Sequence, residues 1–328
     1  MRVVAALGGN ALLRRGQRPD AEVQRANVAA AVRALAPLAA DNELVVTHGN
    51  GPQVGILALE SAADHSLAHP YPFDVLGAQT QGMIGYWLLQ ALQNALPGRQ
   101  VAALINQTLV ARGDPAFRDP TKFVGPVYDR AEARRLAAER GWVVKPDGDR
   151  WRRVVPSPRP RRVVETRLIR LLLDSGAIAV CGGGGGVPVI RNEQGHLAGV
   201  EAVVDKDLTA ALLAEALEAD ILLLLTDVAQ VMVDYGTPEE RGIANATPAE
   251  LAALDLPAGS MGPKAEAACR FTELTGGTAA IGSLADAAEI VAGRAGTVVT
   301  PSGTYPGTGL AGPGRPTGLG PETGQEKR

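Results

Sequence analysis

Cysteine is scarce in this chain: Cys181 and Cys269 are the only two in 328 residues. Two distant thiols build neither a disulfide framework nor a zinc cluster. Aromatic residues make up 4% of a chain that is 46% hydrophobic, so Ala, Val, Leu and Gly supply most of the apolar mass. That balance disfavours an aromatic-rich sandwich and suits a tightly packed parallel sheet covered by helices. A net charge of −3 lacks the basic footprint of a nucleic-acid binder. Long apolar runs are missing as well. The apolar start, 1–13, is interrupted by Gly8, Gly9 and Asn10 and reads as neither a signal peptide nor a membrane span. The longest other run, 221–225, is strand-sized. A soluble cytoplasmic protein with no membrane contact is expected. No internal repeat is found.

Short β-prone runs alternate with helical patterns. Residues 3–7, 44–47, 101–105, 178–181, 221–225 and 278–281 read as buried strands without in–out alternation. Helices are expected over 21–40, 74–96, 163–175, 207–216, 264–275 and 284–292. The alternation predicts an α/β fold, a three-layer α/β/α sandwich with a mainly parallel central sheet. One stretch departs from this. Residues 112–160 are dense in proline and arginine, and two β-prone arms flank Asp147-Gly148 as in a hairpin. They are read as a small protruding lid subdomain inserted into a domain spanning 1–300. The Gly- and Pro-rich stretch 301–328 is expected to be a disordered tail.

Ligands bind at the carboxyl ends of strands in such sheets, and the glycine turns fall there. They are Gly8-Gly9-Asn10, His48-Gly49-Asn50-Gly51, Gly182 to Gly186, and Thr226-Asp227. One such turn is weak evidence, since strand-to-helix turns carry glycine for steric reasons alone. The run of five glycines is not a Walker A loop, which ends in Gly-Lys-Ser/Thr, and the first βαβ unit lacks the spaced glycines and ribose carboxylate of a nicotinamide site. His48 is read as orienting its turn rather than as an acid or base.

Three lysines stand among these turns: Lys122 in Pro120-Thr121-Lys122, Lys206 in Asp205-Lys206-Asp207, and Lys264 in Gly259-Ser260-Met261-Gly262-Pro263-Lys264. A lysine opening a helix opposes the helix dipole unless an anion binds there. Asp207 is read as a helix cap or first-turn residue that also fixes neighbouring ammonium groups. Arg159, Arg161 and Arg162 are read as a solvated face, and His65 and His69 as surface residues. Fixed ammonium groups beside bare backbone N–H groups are what phosphoryl transfer asks of a protein. On these residues alone the expectation is phosphoryl transfer to a small anion.

In order along the chain stand Ala6-Leu-Gly-Gly-Asn-Ala-Leu12, Thr47-His-Gly-Asn-Gly-Pro-Gln-Val-Gly55, Gln81-Gly-Met-Ile-Gly-Tyr86, Pro120-Thr-Lys122 with Gly125-Pro126, Val155-Pro-Ser-Pro-Arg-Pro160, Gly183-Gly-Gly-Gly-Val-Pro-Val189, Val204-Asp-Lys-Asp207 and Gly259-Ser-Met-Gly-Pro-Lys264. Through these segments the chain resembles the carbamate kinase family within the amino acid kinase superfamily. The resemblance implies in-line transfer between ATP and carbamate, giving ADP and carbamoyl phosphate, with Mg²⁺ bridging nucleotide phosphates and no metal held by the protein alone. It implies that Gly8, Gly9, Asn10, Gly49, Asn50 and Gly51 hold carbamate and the transferring phosphoryl. Lys122, Lys206 and Lys264 would offset its charge, with Asp207 orienting the latter two. Gly184, Gly185, Thr226, Asp227, Met261, Gly262 and Lys264 would line the nucleotide side. It further implies a homodimer serving ATP formation in arginine breakdown. Many superfamily members carry a lysine in the first strand; here that strand has none, and the resemblance assigns the missing charge to Lys122 in the lid. Phe123, where the family commonly has proline, and the stretch 231–237, without the usual aromatic and lysine, depart from the pattern. Two alternatives remain from the residues: a related acylphosphate-forming amino acid kinase, or a non-catalytic nucleotide-binding oligomer.

Overall fold

A computed structural model describes residues 1–14, 16–257 and 259–304. Its main sheet has eight strands: β1 (Arg2–Leu7), β2 (Glu43–His48), β3 (Val101–Ala103), β4 (Ile178–Val180), β5 (Ile221–Thr226), β6 (Asn245–Ala246), β7 (Thr278–Ser283) and β8 (Thr297–Val299). Across the sheet they run β6-β8-β7-β5-β1-β2-β4-β3, and every pair is parallel except β7 with β8. β1 is central and fully buried, with Ala5 opposite Leu223 on one side and Val46 on the other.

Nine helices are found among the described residues: α1 (Ala21–Asp41), α2 (Gly51–Ala63), α3 (Phe73–Ala95), α4 (Arg130–Arg140), α5 (Thr166–Asp174), α6 (Lys206–Ala216), α7 (Pro248–Ala252), α8 (Met261–Thr275) and α9 (Ala287–Val291). The pleat of β1 sends alternate residues into two cores. Val3, Ala5 and Leu7 join Val32 and Leu35 of α1 and Ile84 and Leu88 of α3. Val4 and Ala6 join Leu213 of α6 and Phe271 of α8. Helices therefore cover both faces and hide the in–out pattern that a one-sided sheet would display, giving the expected three layers.

The six predicted strands and six predicted helices are present, with shifted ends. The helix expected from residue 163 starts at Thr166, because Pro160–Val163 is a strand. That strand belongs to a second sheet the sequence did not suggest, ordered Leu197–Gly199, Val187–Arg191, Gln107–Val110 and Pro160–Val163. Three helices lie outside the predicted six: α2, α4 and the short α7. α2 starts at Gly51-Pro52, where proline suits the first helical turn, and continues through Gly55 despite that residue's low helical propensity. α4 hides in the arginine-rich insert, although Asp129 caps it by accepting from the Glu132 N–H and Gly141 ends it in the left-handed conformation.

The lid is a three-stranded antiparallel sheet, Lys122–Tyr128, Arg150–Val155 and Val143–Asp147, with α4 beside it. The predicted hairpin is there: Asp147 pairs with Arg150 around Gly148, whose φ is 65°. Its root is apolar, with Val124 and Val155 packed on Val54, Phe73 and Leu76. Gly55 allows this approach, since a Cβ there would lie 3.4 Å from the Gly125 Cα. Of the expected tail, residues 301–304 form a turn, and the remainder lies outside the described residues. No described helix is long and apolar enough to cross a membrane.

At the amino edge of the sheet, the Arg2 guanidinium is buried against Glu43 (2.7 Å), the Leu217 carbonyl (2.6 Å) and Asp174 (3.2 Å). Arg2→Met removes a buried guanidinium, paired with partly exposed carboxylates, at the end of the sheet remote from the glycine turns. It is expected to cost about 3 kcal/mol of stability, read as a lower urea midpoint with turnover per folded molecule unchanged. An unaltered midpoint would show that this network contributes nothing.

Candidate active site

Parallel pairing of β1 with β2 sets Leu7 opposite His48, so the two following turns leave the sheet side by side. They open into a cavity of about 700 Å³, walled by Gly9, Asn10, Gly49, Asn50 and Gly51 on the sheet side. An added Cβ on Gly49 would press on the Gly9 backbone, 3.0 Å from its nitrogen, so the two turns pack tightly because Gly49 has no side chain. The loop after β4 presses in from beyond β2. A Cβ on Gly184 would sit 2.2 Å from the Asn50 amide, and one on Gly185 would meet the Val204 carbonyl at 2.4 Å, both at positive φ. The glycine run is thus a packing requirement rather than compositional drift. Gln81 and Asn106 hold the loop, Gln81 donating to the Gly183 carbonyl at 3.2 Å and the Asn106 Oδ1 accepting from the Gly182 N–H at 2.7 Å. Asn50 is itself fixed by donating to the Thr80 hydroxyl at 2.9 Å.

All three predicted lysines reach this cavity. The Asp207 carboxylate joins two of them, accepting from Lys206 Nζ at 2.6 Å and from Lys264 Nζ at 3.1 Å. Lys122 reaches in from the first lid strand and donates to Asp205 at 2.9 Å. Arg152 is a further cation in the wall and donates through Nε to the Gly125 carbonyl at 2.7 Å. Four cationic side chains thus meet Asp205 and Asp207 in the cavity, with Asp147 3.4 Å from Arg152 outside it, leaving an excess of positive charge. Three helices add their amino ends: Gly51 opens α2, Lys206 opens α6, and Ser260 caps the start of α8, and all three residues line the cavity. Free N–H groups and the helix dipole at such ends favour anions.

Burial lowers the Lys206 pKa from its ordinary value; the adjacent Asp207 carboxylate opposes that shift and Lys264 reinforces it. Burial raises the Asp205 carboxyl, but Lys122, with Lys206 behind it, holds it below the usual carboxylate range. Burial raises the Cys181 thiol to about 12 and the Cys269 thiol to about 11, so neither supplies a thiolate at neutral pH. Among the described residues no group of three or more His, Cys, Asp or Glu side chains is arranged to hold a metal ion.

Several expectations need adjustment. The cap of α6 is Asp205, whose side chain accepts from the Asp207 and Leu208 N–H groups; Asp207 is a first-turn residue, free of capping and turned to the lysines. Met261 packs against the core and Gly262 folds back on the Pro257 carbonyl at 2.9 Å, so neither lines the cavity. Gly8, Gly185, Thr226 and Asp227 do not line this cavity; Thr226, half-buried, and Asp227, exposed, stand at the carboxyl end of β5 beside it. Asp227 still bears on the site by accepting from the Asn10 amide at 2.8 Å. Asp205 as the partner of Lys122, and Arg152 and Thr80, were not anticipated. Asp205 was within reach, since an aspartate just before a strong helical run is a cap signature.

His48 is fully buried, and its Nδ1 lies 3.0 Å from the Gly49 carbonyl. A carbonyl only accepts, so Nδ1 carries the proton. Burial lowers the pKa from 6.5 to about 4 against that hydrogen bond, with Lys206 lowering it further. Between those values the unfolded chain binds a proton that the native protein does not. The resulting stability is present above pH 6.5 and is lost as pH falls towards 4, about 3 kcal/mol in all. A His48→Gln variant is expected to lose this part of the acid dependence. Stability curves of the two proteins running parallel from pH 7 to 4 would contradict a neutral buried imidazole.

Against known proteins, a model of the amino acid kinase family matches residues 1–283. A carbamate kinase of Rhizobium meliloti is 53% identical over 305 residues, covering 92% of this chain and 94% of that protein. One from Haemophilus influenzae is 52% identical over 301 residues, covering 92% and 97%. A solved structure of Giardia lamblia carbamate kinase bound to AMP-PNP superposes with a TM-score of 0.84 at 40% identity, covering 91% of this chain and 98% of that one. Likeness of this depth across the sheet, the lid and the turns is family membership: the chain belongs to the amino acid kinase family and, within it, to the carbamate kinases.

Proposed function

We propose that this chain catalyses reversible, Mg²⁺-dependent phosphoryl transfer, ATP + carbamate = ADP + carbamoyl phosphate. The observation that carries the reading is the convergence of Lys122, Lys206 and Lys264 on one cavity beside two glycine turns. In the forward direction a carbamate oxygen attacks the γ-phosphorus as the bond to the β–γ bridging oxygen breaks, and ADP leaves with that electron pair. Carbamate is already an anion, so no general base is required, in keeping with a neutral, buried His48. Charge spreads over the three equatorial oxygens of the transferring group, and three fixed ammonium groups meet it without reorganising.

Within that scheme the turns bearing Gly8, Gly9, Asn10, Gly49, Asn50 and Gly51 hold carbamate and the phosphoryl group. The 259–264 turn, Gly184, and the Thr226-Asp227 strand end face the nucleotide, with Gly185 and Met261 supporting from behind. Asp205 and Asp207 are both engaged by lysines. That donor set suits a Mg²⁺ ion that arrives on the nucleotide and supplies charge neutralisation through the phosphate oxygens. A cytoplasmic homodimer forming ATP during arginine breakdown completes the proposal.

The direct test is ATP formation from ADP, Mg²⁺ and carbamoyl phosphate, with acetyl phosphate as control donor, and glutamate and aspartate as alternative acceptors in the ATP-consuming direction. ATP formed from carbamoyl phosphate is the expected result; phosphorylation of an amino acid instead would favour the related kinase. Lys206→Ala and Lys264→Ala are each expected to lower kcat roughly 100-fold, about 3 kcal/mol. Turnover unchanged in either variant would remove that lysine from the mechanism.

A further inference from the structure

Arg153 lies on the middle lid strand, outside the cavity walls. Its side chain is only 19% exposed and donates to Glu201 at 2.7 Å. The guanidinium carbon stands 4.9 Å from the centre of the Phe73 ring and 4.7 Å from that of Trp142. Trp142 belongs to the lid, whereas Phe73 opens α3 in the body. The second carboxylate oxygen of Glu201 accepts from the Phe73 backbone N–H at 2.9 Å. One carboxylate therefore ties a lid strand to the first turn of a core helix. Two cation–π contacts and an ion pair from a largely buried guanidinium to an exposed carboxylate make this a directional clasp, unlike the apolar root beside it.

Two connections lead from the clasp to Lys122. The first is the strand ladder, in which Val155 pairs with Lys122 and Val154 with Phe123. A shift of the strand at Arg153 is passed two residues along to the partner of Lys122. The second is the chain segment that carries Glu201. Four residues on, Asp205 holds Lys122, and between them the Val203 N–H donates to the Pro156 carbonyl at 3.0 Å. A single run, 201–207, thus grips the lid three times and also bears Lys206 and Asp207.

We propose that Arg153 is a positioning residue for phosphoryl transfer: its clasp on Glu201 and Phe73 holds the lid strand so that Lys122 stands in register with Lys206 and Lys264. This rests on the role given above to Lys122. The clasp acts on geometry alone, and a displacement of about 1 Å at a reacting centre is enough to cost up to roughly 100-fold in rate.

The test measures kcat, the KM for ADP and the thermal midpoint for Lys122→Ala, Arg153→Met, Glu201→Gln and the two doubles with Lys122→Ala. Methionine keeps an apolar stem beside the rings, and glutamine keeps an oxygen for the Phe73 N–H. Arg153→Met is expected to lower kcat by about 10- to 100-fold with the KM for ADP nearly unchanged. In the Lys122→Ala background the same substitution is expected to change kcat by less than about twofold. A loss that persists undiminished in that background means Arg153 acts by some other route and overturns the inference, as does an unchanged kcat in the single variant. Should Lys122→Ala by itself leave kcat intact, the role of Lys122 falls and the inference falls with it. If Arg153→Met does not fold, Glu201→Gln with its double supplies the same comparison.

Discussion

Two ammonium groups held by opposite oxygens of one buried carboxylate, Asp207 between Lys206 and Lys264, form the constraint on which the rest depends. Without that carboxylate, two lysines that are almost out of solvent would repel each other, and nothing would oppose the burial that lowers the Lys206 pKa. With it they stay in place as a preformed pair of cations. Meeting this requirement brings the first turns of α6 and α8 together, and those two helices pack closely along the face of the sheet. Phe271 and Leu213 fill the space behind them. Removing Asp207 would leave buried charge uncompensated, a larger penalty than the loss of one hydrogen bond.

The sheet supplies the complementary half. Because β1 and β2 are parallel neighbours, their carboxyl ends place two bare-backbone turns next to each other, and the glycine run after β4 closes in from the side. A lysine within β1 would have to emerge from a strand buried on both faces. Here the third charge arrives instead on the lid, whose first strand runs close over Gly55 of α2. The fold thus separates a rigid apolar platform from an inserted arm that carries charge.

Legibility followed burial. The central strands were evident because both faces are covered, so unbroken runs such as Leu222 to Leu225 leave little choice of conformation. The lysines were evident because their neighbours are glycine, proline and aspartate rather than helical ion-pair partners. The small strands of the second sheet were not, since Gln107–Val110 and Leu197–Gly199 are too short to show a period and gain their pairing only from distant chain. The start of α2 was signalled by Pro52, but its extent was not, since Gly51 and Gly55 lower local helical propensity. The pairing of Lys122 with Asp205 spans 83 positions and could not be read from spacing. Met261 and Gly262 fell in a motif whose residues divide between cavity and core, a division that the helix start determines.

The excess of fixed cations over carboxylates in the cavity has a consequence for solution behaviour. The chain as a whole is slightly acidic, so this is a local potential well rather than a global attraction. In any salt solution such a well draws in small anions before a substrate arrives. Entry of a nucleotide or an acyl phosphate is then an exchange, one set of negative ions leaving as another enters. The entropy of the released ions becomes part of the driving force, and selectivity falls to the glycine turns, whose shape discriminates among anions that the lysines alone would accept.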